Sequence, residues 1–269
     1  PLNESTLKDA PNVKLICEFA TGFDNVDIAY CRSRGIKVAN IVGYSTDSVA
    51  QHTFALCLYV LEKLKRYDDY VKSGTYAAQS RFSNFDLPFF ELAGKTWGIV
   101  GMGNIGRKVA QIAAAFGCRV IFYSVTGKSS CTDYERVDFD TLLAESDVLS
   151  LHCPLTAENH HLINAETLSM VKPGVLLLNT ARGFLIDEAA LRKALLNGQV
   201  AGAAVDVAER EPIPADSPLL GLNNCLITPH IAWAAREARQ RLMDTVVENV
   251  RAFQQGNPVN VINGVSLSR

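Results

Sequence analysis

Arg182, Glu211 and His230 are the side chains of this chain whose types and placement could act together chemically. A guanidinium carries a fixed fork of donors, able to hold a carboxylate and polarise a neighbouring carbonyl. Imidazole titrates in the range needed to give a proton to a carbonyl oxygen while hydride reaches the carbon. A carboxylate can orient that imidazole and favour its protonated form. Together they make the set that reduction of a 2-keto acid requires. Singly, each has an ordinary alternative. Arg182 could be a surface arginine in an Arg-Gly turn, Glu211 a loop acid before Pro212, and His230 a satisfied core histidine after Pro229. Their joint placement carries the reading, because each follows an apolar run: 175–180, 201–206 and 226–229.

Those runs need a partner that delivers hydride, and the chain offers a place for one. Thr96-Trp97-Gly98-Ile99-Val100-Gly101-Met102-Gly103-Asn104-Ile105-Gly106 reads as a strand that breaks into Gly-x-Gly-x-x-Gly and opens a helix. Gly101 permits a tight turn, Gly103 lets backbone approach a pyrophosphate, and Gly106 lets helix and strand pack closely. The helix N-terminus adds free N–H groups and a positive dipole end. One element of the pattern is absent. The next strand, 119–124, ends in Ser124 rather than in the acid that would hold a ribose diol. The loop beyond it, Val125-Thr126-Gly127-Lys128-Ser129-Ser130, carries hydroxyls and a cation that could meet a phosphate. It could equally be a solvated loop with no cofactor contact at Lys128. NAD(H) and NADP(H) therefore both remain open.

The elements that position these residues alternate strand, helix, strand. Apolar runs lie at 13–19, 36–40, 97–101, 119–124, 147–152, 175–180, 201–206 and 226–229, with helical patterns at 142–145, 164–170 and 188–197 between them. Near-continuous Val/Ile/Leu runs suit parallel strands covered on both faces, and the alternation predicts an open, doubly wound α/β sheet. Two longer helices are expected. One, about 45–65, is apolar all round at its middle, so it should be buried on several sides. The other, about 236–255, stops at Gly256-Asn257-Pro258. A polar, aromatic loop occupies 73–90. The simplest division places 91–256 in a nucleotide lobe, and 1–90 with 257–269 in a second lobe.

Composition bounds the function. The 269 residues are 48% hydrophobic, enough for one large core or two modest ones. Lys and Arg total 26 against 28 Asp and Glu, a net charge of -2 that points to neither nucleic acid nor an anionic membrane as partner. No apolar run is long enough to span a bilayer. The 7 cysteines are scattered, with no CxxC pair and no metal-ligand spacing, as expected of reduced thiols in a cytoplasmic enzyme without a metal site.

The ordered motifs resemble the D-isomer-specific 2-hydroxyacid dehydrogenases. The matching runs are Gly94-Lys95-Thr96-x-Gly98-Ile99-x-Gly101-x-Gly103-x-Ile105-Gly106, His152-Cys153-Pro154-Leu155-Thr156 and Asn179-Thr180-Ala181-Arg182-Gly183. They continue with Asp206-Val207 through Glu211-Pro212, then Thr228-Pro229-His230-Ile231-Ala232. The likeness covers essentially the whole chain. It implies a Rossmann-type nucleotide-binding domain beside a flavodoxin-like substrate domain. It also implies that Arg182 binds substrate, that His230 is the acid/base, and that Glu211 is its partner. Thr180, Ala181, Asp206, His230 and Ala232 would lie near the nicotinamide half of the cofactor. Gly101, Gly103, Asn104, Ile105 and Gly106 would meet the pyrophosphate, and Cys153 and Pro154 would lie by the adenosine half; Ser124 and Lys128 stay cofactor candidates on their own residue types. Family members begin with a further strand–helix–strand unit, so the substrate domain is expected to be incomplete at its N-terminus, before Pro1.

Within the family the likeness is greatest to glycerate dehydrogenases, also called hydroxypyruvate reductases. The loop beginning at Ala20-Thr21-Gly22 resembles the family's substrate-carboxylate loop, and Trp233 after His230-Ile231-Ala232 is a feature of that subgroup. Trp233 reads as either a wall of the pocket or a packing aromatic. The expected substrates are hydroxypyruvate or glyoxylate, reduced to D-glycerate or glycolate, with D-lactate-type and other 2-hydroxyacid dehydrogenases as alternatives. A related formate dehydrogenase pairs its histidine with Gln, against which Glu211 argues. Dinucleotide-binding corepressors on the same fold keep much of the catalytic set, but this chain shows no basic patch and no added peptide-binding element. The family also implies a homodimer through the nucleotide domain, with 54–61 and 73–90 as contributors. For 54–61 the alternative is an intrachain core helix.

Overall fold

The computed structural model describes residues 1–264. They fold as two compact units, 1–46 with 233 onward, and 47–232. The second unit is built on a parallel sheet of seven strands. They are β3 (Thr96–Val100), β4 (Arg119–Tyr123), β5 (Glu135–Arg136), β6 (Val148–Leu151), β7 (Val175–Asn179), β8 (Val200–Val205) and β9 (Cys225–Ile227), in the spatial order β5-β4-β3-β6-β7-β8-β9. The chain runs outward from β3 through β4 to β5, then returns to the other side of β3 with β6. That reversal is the switch point at which open α/β sheets bind ligands.

Side-chain alternation explains why the strands read as unbroken apolar runs. Trp97, Ile99, Val120, Phe122, Leu176 and Leu178 face one layer, against helices α3 (Thr46–Leu61) and α6 (Asn104–Ala115). Ile121, Leu149, Leu151, Val175, Leu177 and Val205 face the other, against α7 (Phe139–Glu145), α8 (Ala165–Met170) and α9 (Glu188–Leu196). Each face buries its own cluster, so neither residue parity can be polar. Ser150 is an exception, and it is satisfied: Trp97 Nε1 donates to its hydroxyl at 2.9 Å.

In the first unit, β1 (Leu15–Cys17) pairs in parallel with β2 (Lys37–Ala39), joined by α2 (Ile28–Ser33). Leu7 of α1 (Glu4–Leu7) joins Ile16, Val26, Cys31, Ile36 and Val38 in its core. Helix α10 (Arg236–Gln254) packs Ala238, Leu242 and Val246 against Ile41 and Tyr44. The assignment of 265–269 to this lobe lies outside the described residues.

Several expectations are amended. The unit bounds fall at 46/47 and 232/233 rather than at 90/91 and 256/257. The reason is packing: α3 buries Phe54, Leu56, Cys57 and Leu61 on the nucleotide sheet, while α10 serves the other core. Thus 54–61 is an intrachain core helix. The helix expected over 45–65 ends at Leu61, because Lys63 takes a left-handed φ of 57° and a new helix, α4 (Leu64–Lys72), begins. The 73–90 loop contains a short helix, α5 (Thr75–Ala78), and the two-residue edge strand β5 carried no sequence signal. Among the described residues, no helix is long and apolar enough to cross a membrane.

Candidate active site

The residues singled out from sequence stand at the carboxyl ends of β3, β4, β6, β7, β8 and β9. After β3 the chain turns at Gly101, whose φ is +96°. A Cβ there would come within 2.7 Å of the Cys153 amide nitrogen, so the β3 turn and the loop after β6 lie backbone to backbone. A Cβ at Gly106 would run into the Gly101 carbonyl oxygen, and only glycine lets α6 start that close to the strand. Gly103 precedes α6, and a Cβ there would meet open space. The N–H groups of the first turn, at Asn104 and Ile105, therefore form a cradle with room for an anion, as a dinucleotide pyrophosphate requires.

After β4, Ser124 is buried, and its hydroxyl accepts from Ser129 N at 3.3 Å. The serine at the acid's position is thus turned into its own loop. Lys128 is exposed on that loop. Sequence reasoning missed two further cations there. Arg107 of α6 donates to Ser130 Oγ at 3.3 Å, and Arg136 of β5 donates to the Gly127 carbonyl at 3.0 Å.

The loop after β6 holds Cys153 and Pro154. Asn159, also unforeseen, donates to the Pro154 carbonyl at 2.8 Å and accepts from Thr156 N at 2.7 Å. Burial pushes the Cys153 thiol up to about 11, so it is an unionised packing group. Burial likewise pushes His152 down to about 3, and neither ring nitrogen has a hydrogen-bond partner among the described residues.

After β7 come Thr180, Ala181 and Arg182. Asn179 secures this turn from both sides: its Nδ2 donates to the Arg182 carbonyl at 2.8 Å and its Oδ1 accepts from Ala181 N at 3.0 Å. The Thr180 and Thr53 hydroxyls are 3.2 Å apart. Arg182 Nη1 donates to the Ala181 carbonyl at 2.8 Å, and a Cβ at Gly183 would collide with the Ala208 carbonyl. The arginine turn therefore rests on the loop that follows β8.

That loop carries Glu211, and Glu211 meets His230. His230 Nδ1 and Glu211 Oε2 are 2.8 Å apart, while Glu211 Oε1 accepts from Ala208 N at 3.1 Å. Both side chains are partly exposed. His230 has a left-handed φ of 55°, held by its N–H donating to the Asp206 carbonyl at 2.8 Å. The Asp206 side chain is fully buried. It accepts from Thr228 Oγ1 at 2.6 Å, Ile231 N at 2.9 Å and Ala232 N at 2.7 Å, with His52 Nε2 at 3.5 Å. Burial pushes its carboxyl up, but hydrogen bonds from His52, Thr228, Ile231 and Ala232 outweigh that and hold it below the ordinary range. His52 lies in the apolar helix α3, where sequence periodicity gave no reason to single it out.

The remaining candidates sit in the first unit. Ile41 N donates to the Ala20 carbonyl at 3.1 Å, Thr21 Oγ1 to the Ile41 carbonyl at 2.6 Å, and Asn40 Nδ2 to the Thr21 carbonyl at 2.7 Å. Gly22 follows in the same loop, half-buried. Trp233 is partly buried and packs on the cluster of Ile41, Tyr44 and Leu242.

Comparison with known proteins places this geometry. The profile of the D-isomer specific 2-hydroxyacid dehydrogenase, NAD binding domain, matches residues 54–232. A hydroxypyruvate reductase of Blautia hydrogenotrophica is 41% identical over 98% of this chain and 82% of its own. A glycerate dehydrogenase of Methylorubrum extorquens is 41% identical over 97% and 82%. The crystal structure of an Aquifex aeolicus D-lactate dehydrogenase, complexed with NAD and lactic acid, superposes with a TM-score of 0.88 at 37% identity, covering 99% of this chain and 84% of that one.

Replacing Gly106 by Ala is expected to push α6 off the Gly101 turn and weaken dinucleotide binding more than about tenfold, while the sheet stays folded. Fluorescence titration with reduced dinucleotide, alongside circular dichroism, would measure both. Unchanged affinity would count against the cradle.

Proposed function

The chain belongs to the D-isomer-specific 2-hydroxyacid dehydrogenase family, oxidoreductases that act on CH–OH donors with a nicotinamide dinucleotide, and we propose that it interconverts hydroxypyruvate or glyoxylate with D-glycerate or glycolate. The observation that carries the reading is the 2.8 Å contact between His230 Nδ1 and Glu211 Oε2. With Nδ1–H given to the carboxylate, Nε2 is the nitrogen left to protonate a substrate carbonyl oxygen. Glu211 fixes the ring in the orientation that leaves Nε2 free to donate. Arg182 holds the substrate carboxylate and polarises the carbonyl. When bound, the reduced nicotinamide supplies the hydride. Gly101, Gly103, Asn104, Ile105 and Gly106 hold the pyrophosphate. Cys153 and Pro154 flank the adenosine half, and Thr180, Ala181, Asp206, His230 and Ala232 flank the nicotinamide half. The substrate roles of Ala20, Thr21, Gly22 and Trp233 belong to the same reading and rest on the resemblance alone.

NADPH is the cofactor this site favours. A carboxylate at position 124 would repel a 2′-phosphate; Ser124 does not, Lys128 is exposed on the loop that follows, and Arg107 and Arg136 each hydrogen-bond to that loop. The protein pairs with a second copy. Helices α4 and α5 have no buried residue, and Phe82, Phe85 and Phe89 of the adjoining loop are exposed, Phe82 at 87%. Three large exposed aromatics within eight residues are more than a solvated loop needs, and a second copy could cover them. Free cysteines fit a reducing, cytoplasmic setting.

Purified protein is expected to oxidise reduced dinucleotide with hydroxypyruvate or glyoxylate. His230→Asn should lose roughly 10²–10⁴-fold in kcat, and Arg182→Ala should raise KM for the keto acid as well. Glu211→Gln removes the carboxylate that orients the imidazole and should lower kcat with dinucleotide Kd unchanged. Near-wild-type rates in both the His230 and Arg182 variants would refute the site. NADPH should serve at least as well as NADH, and Ser124→Asp should swing the ratio of kcat/KM towards NADH; a strong wild-type preference for NADH would reject the cofactor reading. Sedimentation should show a dimer that Phe82→Asp with Phe85→Asp dissociates; a wild-type monomer would end that proposal.

A further inference from the structure

The loop from Ala208 to Glu211 has no regular secondary structure, yet it must present Glu211 to His230 and support the Arg182 turn. Its middle residue, Glu209, is tied down from two directions. Glu209 N donates to Glu188 Oε1 at 2.8 Å, and Glu188 N donates back to Glu209 Oε1 at 3.2 Å. Each carboxylate thus accepts the other residue's backbone N–H. Glu188 is the first residue of α9 and is buried, and its second oxygen accepts from Ser217 Oγ at 3.2 Å. Two carboxylates side by side repel. The positive end of α9 opposes that repulsion, and His161 Nε2 lies beside the pair, 3.0 Å from Glu209 Oε1.

His161 belongs to the same assembly. Its φ is +52°, and its N–H donates to the Phe184 carbonyl at 2.8 Å. Ile163 N donates to the Leu185 carbonyl at 2.9 Å and Asp187 N returns to the Ile163 carbonyl at 2.8 Å. The segment leading from Arg182 into α9 is thereby fixed, and Gly183 within it packs on Ala208 and on the amide nitrogen of Glu209. Displacing Glu209 would therefore move two things together: Glu211 on its own loop and Arg182 across the Gly183 contact.

We propose that Glu209 is a positioning residue that, with Glu188 and His161, clamps the Arg182 turn and the Glu211 loop into one rigid piece. The clamp rests on the roles given above to Arg182 and Glu211. It sets the substrate-binding cation and the histidine's carboxylate partner at a fixed separation.

The test uses the full chain with Glu209→Ala, Glu209→Gln and His161→Asn. Glu209→Ala should raise KM for the keto acid roughly 10- to 100-fold and lower kcat in the direction of Glu211→Gln, with dinucleotide Kd unchanged. Glu209→Gln keeps an oxygen for Glu188 N–H and should restore most of KM. His161→Asn tolerates the left-handed φ and should raise KM in the same direction by less. Hydrogen exchange should speed at 183 and at 208–211 together in Glu209→Ala; this reads the clamp even if the wild-type protein does not turn over these keto acids. A lowered Tm with KM, kcat and exchange at 183 unchanged would overturn the proposal, as would equal damage from Gln and Ala. If Glu209→Ala does not fold, the Gln and His161 variants decide the matter by the same KM criterion.

Discussion

A single buried carboxylate shapes the catalytic end of the nucleotide unit. Asp206 sits at the end of β8 and gathers the Thr228 hydroxyl and the N–H groups of Ile231 and Ala232. Those bonds hold the chain after β9 in a turn that forces His230 into left-handed backbone, a conformation a non-glycine residue keeps only when its surroundings impose it. Without that turn the imidazole would not face Glu211. Buried charge is tolerated there because every oxygen is bonded.

The other loops obey the same logic. Parallel strands end at one edge of the sheet, so each loop begins from a rigid, apolar support and can be irregular beyond it. Side-chain amides and carboxylates tie those loops down: Asn179 for the arginine turn, Asn159 for the Cys153–Pro154 loop, and Glu188 with Glu209 for the loop that carries Glu211. Glycine is needed where two such loops touch. Gly101 meets Cys153 and Gly183 meets Ala208, and in both places backbone lies where a Cβ would be. The site is thus held by main-chain packing as much as by side chains.

Much of this was legible in the residues. The glycine spacing, the Val/Ile/Leu runs and the strand-end positions of Arg182, Glu211 and His230 depend on local order along the chain. Periodicity and turn chemistry report such order directly. What escaped was non-local. His52 lies in the middle of an apolar helix, and its meeting with Asp206 and Thr228 follows only from α3 lying on the sheet. Arg107 and Arg136 come to the Ser124 loop from a helix and an edge strand. The division into units differs for a related reason: α3 is apolar all round and α10 has one apolar stripe, and neither sequence says which core the helix joins.

The sequence by itself determined that this is a doubly wound α/β chain with a dinucleotide turn, and which Arg, Glu and His could serve a 2-keto acid. Those are properties of residue type and spacing. Only the tertiary structure decided how these side chains are held: the Asp206 knot beneath His230 and the reciprocal bonds of Glu188 and Glu209. Hydrogen bonds between segments twenty or more residues apart depend on which backbone atoms the sheet brings within about 3 Å, and no local pattern records that distance.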